Sequence, residues 1–272
     1  MKMSENKPIQ LGLCCLNSTL RTQTPAVFSS RKMIIRTIQE KGIDTLKQKI
    51  IENLKDTIKL IDWNEMNGIK VFRLSSELFP HKSNKKVDDY SFDFAIPLLK
   101  EMGNRARLFN QRITFHPGQY NVVGTPNIEC FKQTISDLKY HADVLDIMEM
   151  DHNSVMVVHG GGVYGDKTLT KQRWCRQFEL LPENVKKRLV IENCEKCFSI
   201  EDCLEISQEI NIPEKYNIEI DIMVEAKKKE LAIFKLYEKY PSLNCLKIDK
   251  IIHKPCPLLK KKRKKRLIIV GV

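Results

Sequence analysis

The sequence predicts an α/β chain wound as a (β/α) barrel of about six units, and three observations lead there. Six short β-branched or aromatic runs recur along the 272 residues. Stretches with helical periodicity separate them. From the second run onward the strand starts are about 30 to 45 residues apart, the period of βαβ units in a parallel sheet. At this chain length six units favour a barrel, with an open doubly wound sheet as the alternative.

In chain order the first run is IQLGLCC at 9–15. A helix follows, because Ile43, Leu46, Ile50, Leu54, Ile58 and Ile61 recur in steps of three and four and line one face. The second and third runs are IKVFRL (69–74) and RITFH (112–116). Thr125 and Pro126 then read as an N-cap and first-turn proline for a helix with Phe131, Ile135, Leu138, Ala142 and Leu145 inward. SVMVVH (154–159) and RLVIEN (188–193) are the next two runs. Ser199 and Asp202 have the spacing of a capping box, so a helix is expected to start there. YNIEIDIMVE (216–225) is the last run.

Composition bounds the partners. The apolar fraction of 42% is that of an ordinary globular protein, and the net charge of +12 suits an acidic partner such as a phosphate backbone. The charge is concentrated, however: residues 247–272 hold ten Lys/Arg against one Asp, a local +9 that leaves only +3 on 1–246. A single barrel domain over 1–246 with a basic, disordered tail over 247–272 is therefore expected. KKKRKKR (260–266) in that tail resembles a nuclear-localisation or nucleic-acid patch, and a solvated tail is the plainer alternative. No run of about 18 apolar residues and no apolar leader core is present, so neither a membrane span nor secretion is expected. Nine cysteines, an odd number, fit a reducing intracellular compartment.

The strand ends carry the chemistry. The third run closes on His116, the fourth on His159, the fifth on Glu192 and the last on Glu225. In a parallel barrel these ends meet on one face. Each histidine alone is more often a hydrogen-bonding core residue, but four consecutive ends reading His, His, Glu, Glu suit Zn²⁺ or Mn²⁺. A carboxylate at the end of an apolar strand costs several kcal/mol unless it is paired or metal-bound, and a metal is the simplest compensation.

Several motifs surround these ends. In HPGQY (116–120) Pro117 and Gly118 force a tight turn that leaves Gln119 and Tyr120 at the rim, although a plain solvated turn reads the same way. HGGGVYGDK has three glycines that let backbone approach a ligand, but it lacks the ending of a P-loop. Cys194-x-x-Cys197 with Cys203 nearby reads as structural thiols before a zinc or redox site. His81 is placed to face a substrate, His141 and His152 read as helix surface or loop, and His253 lies in the tail.

Taken in order, LGLCCLNSTLR, NGIKVFRLSSELFPHKS, ITFHPGQYNVVGTP, VVHGGGVYGDK, LVIENCE and DIMVEAKKKE resemble the UV-damage endonuclease family over roughly residues 9–245. The resemblance implies a TIM-type barrel. It also implies DNA repair by incision 5′ of a pyrimidine dimer in double-stranded DNA, using bound divalent metal, Mn²⁺ in the first place and Zn²⁺ or Mg²⁺ as alternatives. By the same resemblance His116, His159, Glu192 and Glu225 are metal ligands, with Glu192 and Glu225 catalytic. Gln119 and Tyr120 match the pair that probes the lesion while damaged nucleotides leave the stack, against a few kcal/mol of unstacking. No membrane and no obligate protein partner is implied.

The departure from the family pattern matters as much. In the family Glu192 is followed by strands with an aspartate ligand, further histidines and a modified lysine before the DIMVEAK strand. Here 32 residues, none of them histidine, separate Glu192 from Glu225. About two βα units are missing, and the barrel is expected to be incomplete. Asp221 is the one candidate substitute for the lost aspartate. One metal site at His116, His159 and Glu192 is retained. The competing readings are an active endonuclease, a truncated relative that binds damaged DNA without cutting, and a sugar isomerase of the same architecture, which HPGQY and VEAKKKE disfavour.

Overall fold

A computed structural model describes residues 9–193, 197–209, 220–244 and 268–271. Strand β1 (Gln10–Cys14) leads to the short helix α1 (Ser18–Arg21), then to α2 (Ile35–Lys41) and α3 (Ile43–Met66). Strand β2 (Val71–Arg73), α4 (Ile96–Leu108), β3 (Arg112–Thr114) and α5 (Ile128–Ile147) follow. After β4 (Met156–His159) come α6 (Lys167–Glu179) and α7 (Glu183–Lys186). Next are β5 (Leu189–Glu192), α8 (Ile200–Glu209), β6 (Ile220–Val224), α9 (Glu230–Lys239) and β7 (Ile268–Gly271).

The strands lie in the order β5-β4-β3-β2-β1-β6-β7. The first six run parallel and β7 is antiparallel to β6. The joint between β3 and β4 is a single parallel bridge at Phe115 and Met156. There Phe115 N–H donates to Val155 O at 2.9 Å and Val157 N–H to Phe115 O at 3.0 Å. Among the described residues β5 pairs only with β4, so the sheet curls as a TIM-type barrel that does not close between β5 and β6. No described helix is long and apolar enough to cross a membrane.

The core follows the predicted periodicities. Leu11 and Leu13 of β1 and Leu46, Ile50, Leu54 and Ile61 of α3 are buried, and each such side chain contributes roughly 1.5–3 kcal/mol of burial. Ser199 and Asp202 form the expected capping box: Ser199 N–H donates to the Asp202 carboxylate at 2.8 Å and Asp202 N–H to Ser199 Oγ at 3.3 Å. Asp202 also takes Lys167 and Lys171 from α6, so the cap ties two helices together.

Three expectations are corrected. The cap of α5 is Asn127, whose side-chain oxygen accepts from Glu129 and Cys130 N–H, two residues beyond Thr125; its extended backbone fits the capping position. His141 is buried on α5, edge-on to Phe115 and stacked on Tyr140, so it is a core residue. A disordered tail does not extend to 268–271, where the apolar run Ile268–Gly271 pairs along β6. KKKRKKR, His253 and Cys194 lie outside the described residues.

Candidate metal centre

Strand register brings the centre together. His159 and Glu192 are the last residues of β4 and β5 and stand opposite each other in the parallel pairing. His116 follows Phe115, whose bridge to Met156 lays the end of β3 beside β4. One Glu192 oxygen, Oε2, accepts from His116 Nε2 at 2.8 Å and lies 3.4 Å from His159 Nδ1. The two imidazole rings have centroids 4.9 Å apart. Burial pushes the Glu192 carboxyl upward. The hydrogen bond from His116 and the charges of His116, His159 and Arg73 outweigh it and hold the group below the ordinary carboxylate range. Glu192 is therefore a carboxylate, and the proton it shares with His116 is what a cation would displace.

The donor set fits a divalent cation. One ligand atom from each of His116, His159 and Glu192 falls within 4.8 Å of the others. Ligands about 2.1 Å from one ion are at most about 4.2 Å apart, so closure needs side-chain movements of under about 1 Å. Two imidazoles and a carboxylate with a further position open is a water-activating set.

Glu225 is not brought to this cluster. It follows β6, and its Oε1 accepts from Nη1 of Arg73, the last residue of β2. Glu225 is exposed, so the burial cost expected of it does not arise; the buried partner is the guanidinium, only 5% exposed, which needs a carboxylate. Asp221 pairs through its backbone with Gln10 and Val270, and its side chain lies outside the described residues.

Gln119 and Tyr120 stand at the rim, both exposed. The Tyr120 ring lies back over Gly118, where a Cβ would come within 2.5 Å of it, so only glycine admits this pose. Partial burial and the carboxylates Asp137 and Glu77 push the phenol up to about 12, which keeps it neutral. Behind it the buried Asn121 donates to Gly118 O at 3.0 Å and to Asp137 at 2.6 Å, fixing the turn. The HGGG glycines serve packing: a Cβ on Gly160 would meet the Phe198 ring at 2.9 Å. Gly161 has a φ of +91° and faces Val122. His81 binds Met33 O at 2.6 Å and Asn84 at 3.2 Å. Cys197 and Cys203 pack against the core.

Arg73, Asn121, Asp137 and Glu230 escaped the sequence reading. Glu230 is fully buried and accepts Ser18 N–H, Thr19 N–H and Thr19 Oγ–H at 2.8–2.9 Å, so the last glutamate of VEAKKKE anchors α1. Arg73 carried a usable signal, since a charged residue one short of the end of the apolar run IKVFRL is an anomaly of the same kind as His116 ending RITFH.

A family profile described as UV-endonuclease UvdE matches residues 9–218, a span that includes all three clustered residues. The chain belongs to the UvdE family. A putative UV-damage endonuclease of Acanthamoeba polyphaga mimivirus is 41% identical over 209 residues, 75% of this chain and 63% of that protein. The UV-damage endonuclease of Schizosaccharomyces pombe is 39% identical over 216 residues, 76% of this chain and 36% of that one. The crystal structure of SacUVDE superposes with a TM-score of 0.69 at 27% identity, covering 85% of this chain and 76% of that one. The chain thus spans from about a third to just under two thirds of these curated UvdE relatives.

Proposed function

We propose that this UvdE-family chain is a metal-dependent DNA-repair endonuclease that hydrolyses a phosphodiester 5′ of UV photoproducts in double-stranded DNA. The observation that carries the reading is the convergence of His116, His159 and Glu192 at three adjacent strand ends. These residues hold the ion, Mn²⁺ before Zn²⁺ or Mg²⁺. A divalent ion held there would supply the charge that activates water near neutral pH and that offsets charge on the phosphate. The Glu192 carboxylate orients both imidazoles through Oε2. Arg73 neutralises Glu225, so the rim beside the DNA does not carry a second bare carboxylate. Gln119 and Tyr120 probe the lesion. The neutral, exposed Tyr120 ring offers a stacking face worth about 1–3 kcal/mol per base without repelling phosphate.

A UV-irradiated supercoiled plasmid tests this. Nicking is expected with Mn²⁺, suppressed by a chelator and absent on unirradiated plasmid; equal nicking of both plasmids would reject lesion specificity. A second reading, lesion binding without cutting, is favoured by the engagement of Glu225 with Arg73, which leaves three clustered ligands. It predicts retarded irradiated DNA with no nicking at any Mn²⁺ concentration.

A further inference from the structure

β1 ends on Cys14, and a second cysteine, Cys15, follows it directly. Both thiols are half-buried, and their Sγ atoms are 3.9 Å apart. That spacing is far from the roughly 2.05 Å of a disulfide, and adjacent Cα atoms, about 3.8 Å apart, fall below the usual disulfide range. It is about half an ångström more than the roughly 3.4 Å between two sulfurs bonded at about 2.3 Å to one pyramidal centre, a gap that small side-chain rotations close. Cys15 has a φ of 59°, a left-handed backbone that turns its side chain onto the same side as Cys14. Arg73 Nη1 approaches Cys14 Sγ at 3.4 Å.

We propose that Cys14 and Cys15 form a chelating dithiol site for trivalent arsenicals of the arsonous class, R–As(OH)₂. The hydrogen bond from Cys15 outweighs burial and, with the charge of Arg73, takes Cys14 down to about 6, so Cys14 is the thiolate. Its hydrogen bond to Cys14 and its burial push Cys15 well above the ordinary thiol range, so Cys15 holds the proton. Cys14 sulfur attacks arsenic, and the displaced hydroxide takes the Cys15 proton and leaves as water. Cys15 sulfur then attacks, and the second hydroxide takes a proton from solvent. Two As–S bonds replace two As–O bonds, two waters leave, and arsenic stays trivalent. The product is neutral. Two sulfurs suffice for an arsenical, whose own R group fills the third position, whereas a divalent cation wants three or four protein donors and, among the described residues, no third His, Cys, Asp or Glu clusters with this pair.

The site uses none of the His116, His159 and Glu192 side chains and does not depend on DNA cleavage. The test is titration of the full chain with phenylarsonous acid, read by native mass spectrometry. Wild type is expected to take one adduct that Cys14→Ser and Cys15→Ser each weaken by at least about a hundredfold, because chelation makes the second bond intramolecular. Cys194→Ser and Cys197→Ser should retain that adduct. An adduct kept by Cys14→Ser, or lost with Cys197→Ser, overturns the proposal. Should a serine variant misfold, protection in the wild-type chain decides: the arsenical should block iodoacetamide labelling of Cys14 and Cys15 together, and unchanged labelling rates reject the site.

Discussion

Two polar clusters stand at the strand ends of this barrel, and each solves the problem of a carboxylate there differently. At β3, β4 and β5, Glu192 shares one oxygen between two imidazoles, groups that can give up their protons to a cation. At β1, β2 and β6, Glu225 is matched to Arg73, a fixed positive charge that cannot be deprotonated. One cluster is exchangeable and suits a metal; the other is permanently neutralised and suits structure. Two glutamates that look alike in the sequence are held by different kinds of partner, 76 and 152 residues away.

Substitutions at the two clusters sharpen this contrast. The largest effect is expected from Glu192→Gln, which removes a ligand with little change of shape. Metal affinity should fall by more than the 10–100-fold typical of outer-shell changes, and incision with it; calorimetric metal titration checks this. Glu225→Gln should act on stability, costing about 2 kcal/mol by leaving the buried Arg73 guanidinium with only an amide acceptor, measured by denaturant unfolding. Arg73→Met, which keeps an apolar stem of similar length, should cost less, about 1 kcal/mol, since the Glu225 carboxylate that it frees is exposed and solvated. A larger loss of metal affinity from Glu225→Gln than from Glu192→Gln would reverse the assignment. Asp202→Ala, at the cap of α8, should cost about 1 kcal/mol and leave metal binding intact. Lys167 and a Ser199 N–H hold the Asp202 carboxyl well below its usual range. Its contribution is thus fully present above the unfolded-state value and is lost as pH falls through the lower folded one.

What was legible in the sequence follows from the range of the interactions. The strands and the α3 face were readable because periodicity is local, and the Ser199–Asp202 capping box because its partners are three residues apart. His116, His159 and Glu192 were readable as a set because parallel topology places strand ends side by side. The Arg73–Glu225 pair was not, since nothing local says which strand supplies the counter-charge. His141 was misread because α5 buries a wider face than its apolar residues mark: Phe115 and Tyr140 receive its ring. The cap of α5 was misplaced because Thr125, Pro126 and Asn127 offer competing signals, and only the backbone conformation selects Asn127.

The central claim is that the β3–β5 cluster, and not the β1–β2–β6 cluster, holds the divalent ion. Electron paramagnetic resonance of Mn²⁺ titrated into the full chain measures this directly, because bound ion leaves the sharp aqueous signal. The account predicts at least one bound equivalent in the wild type and in Glu225→Gln, and its loss in His116→Ala, His159→Ala and Glu192→Gln. Binding that survives Glu192→Gln and disappears in Glu225→Gln would contradict it.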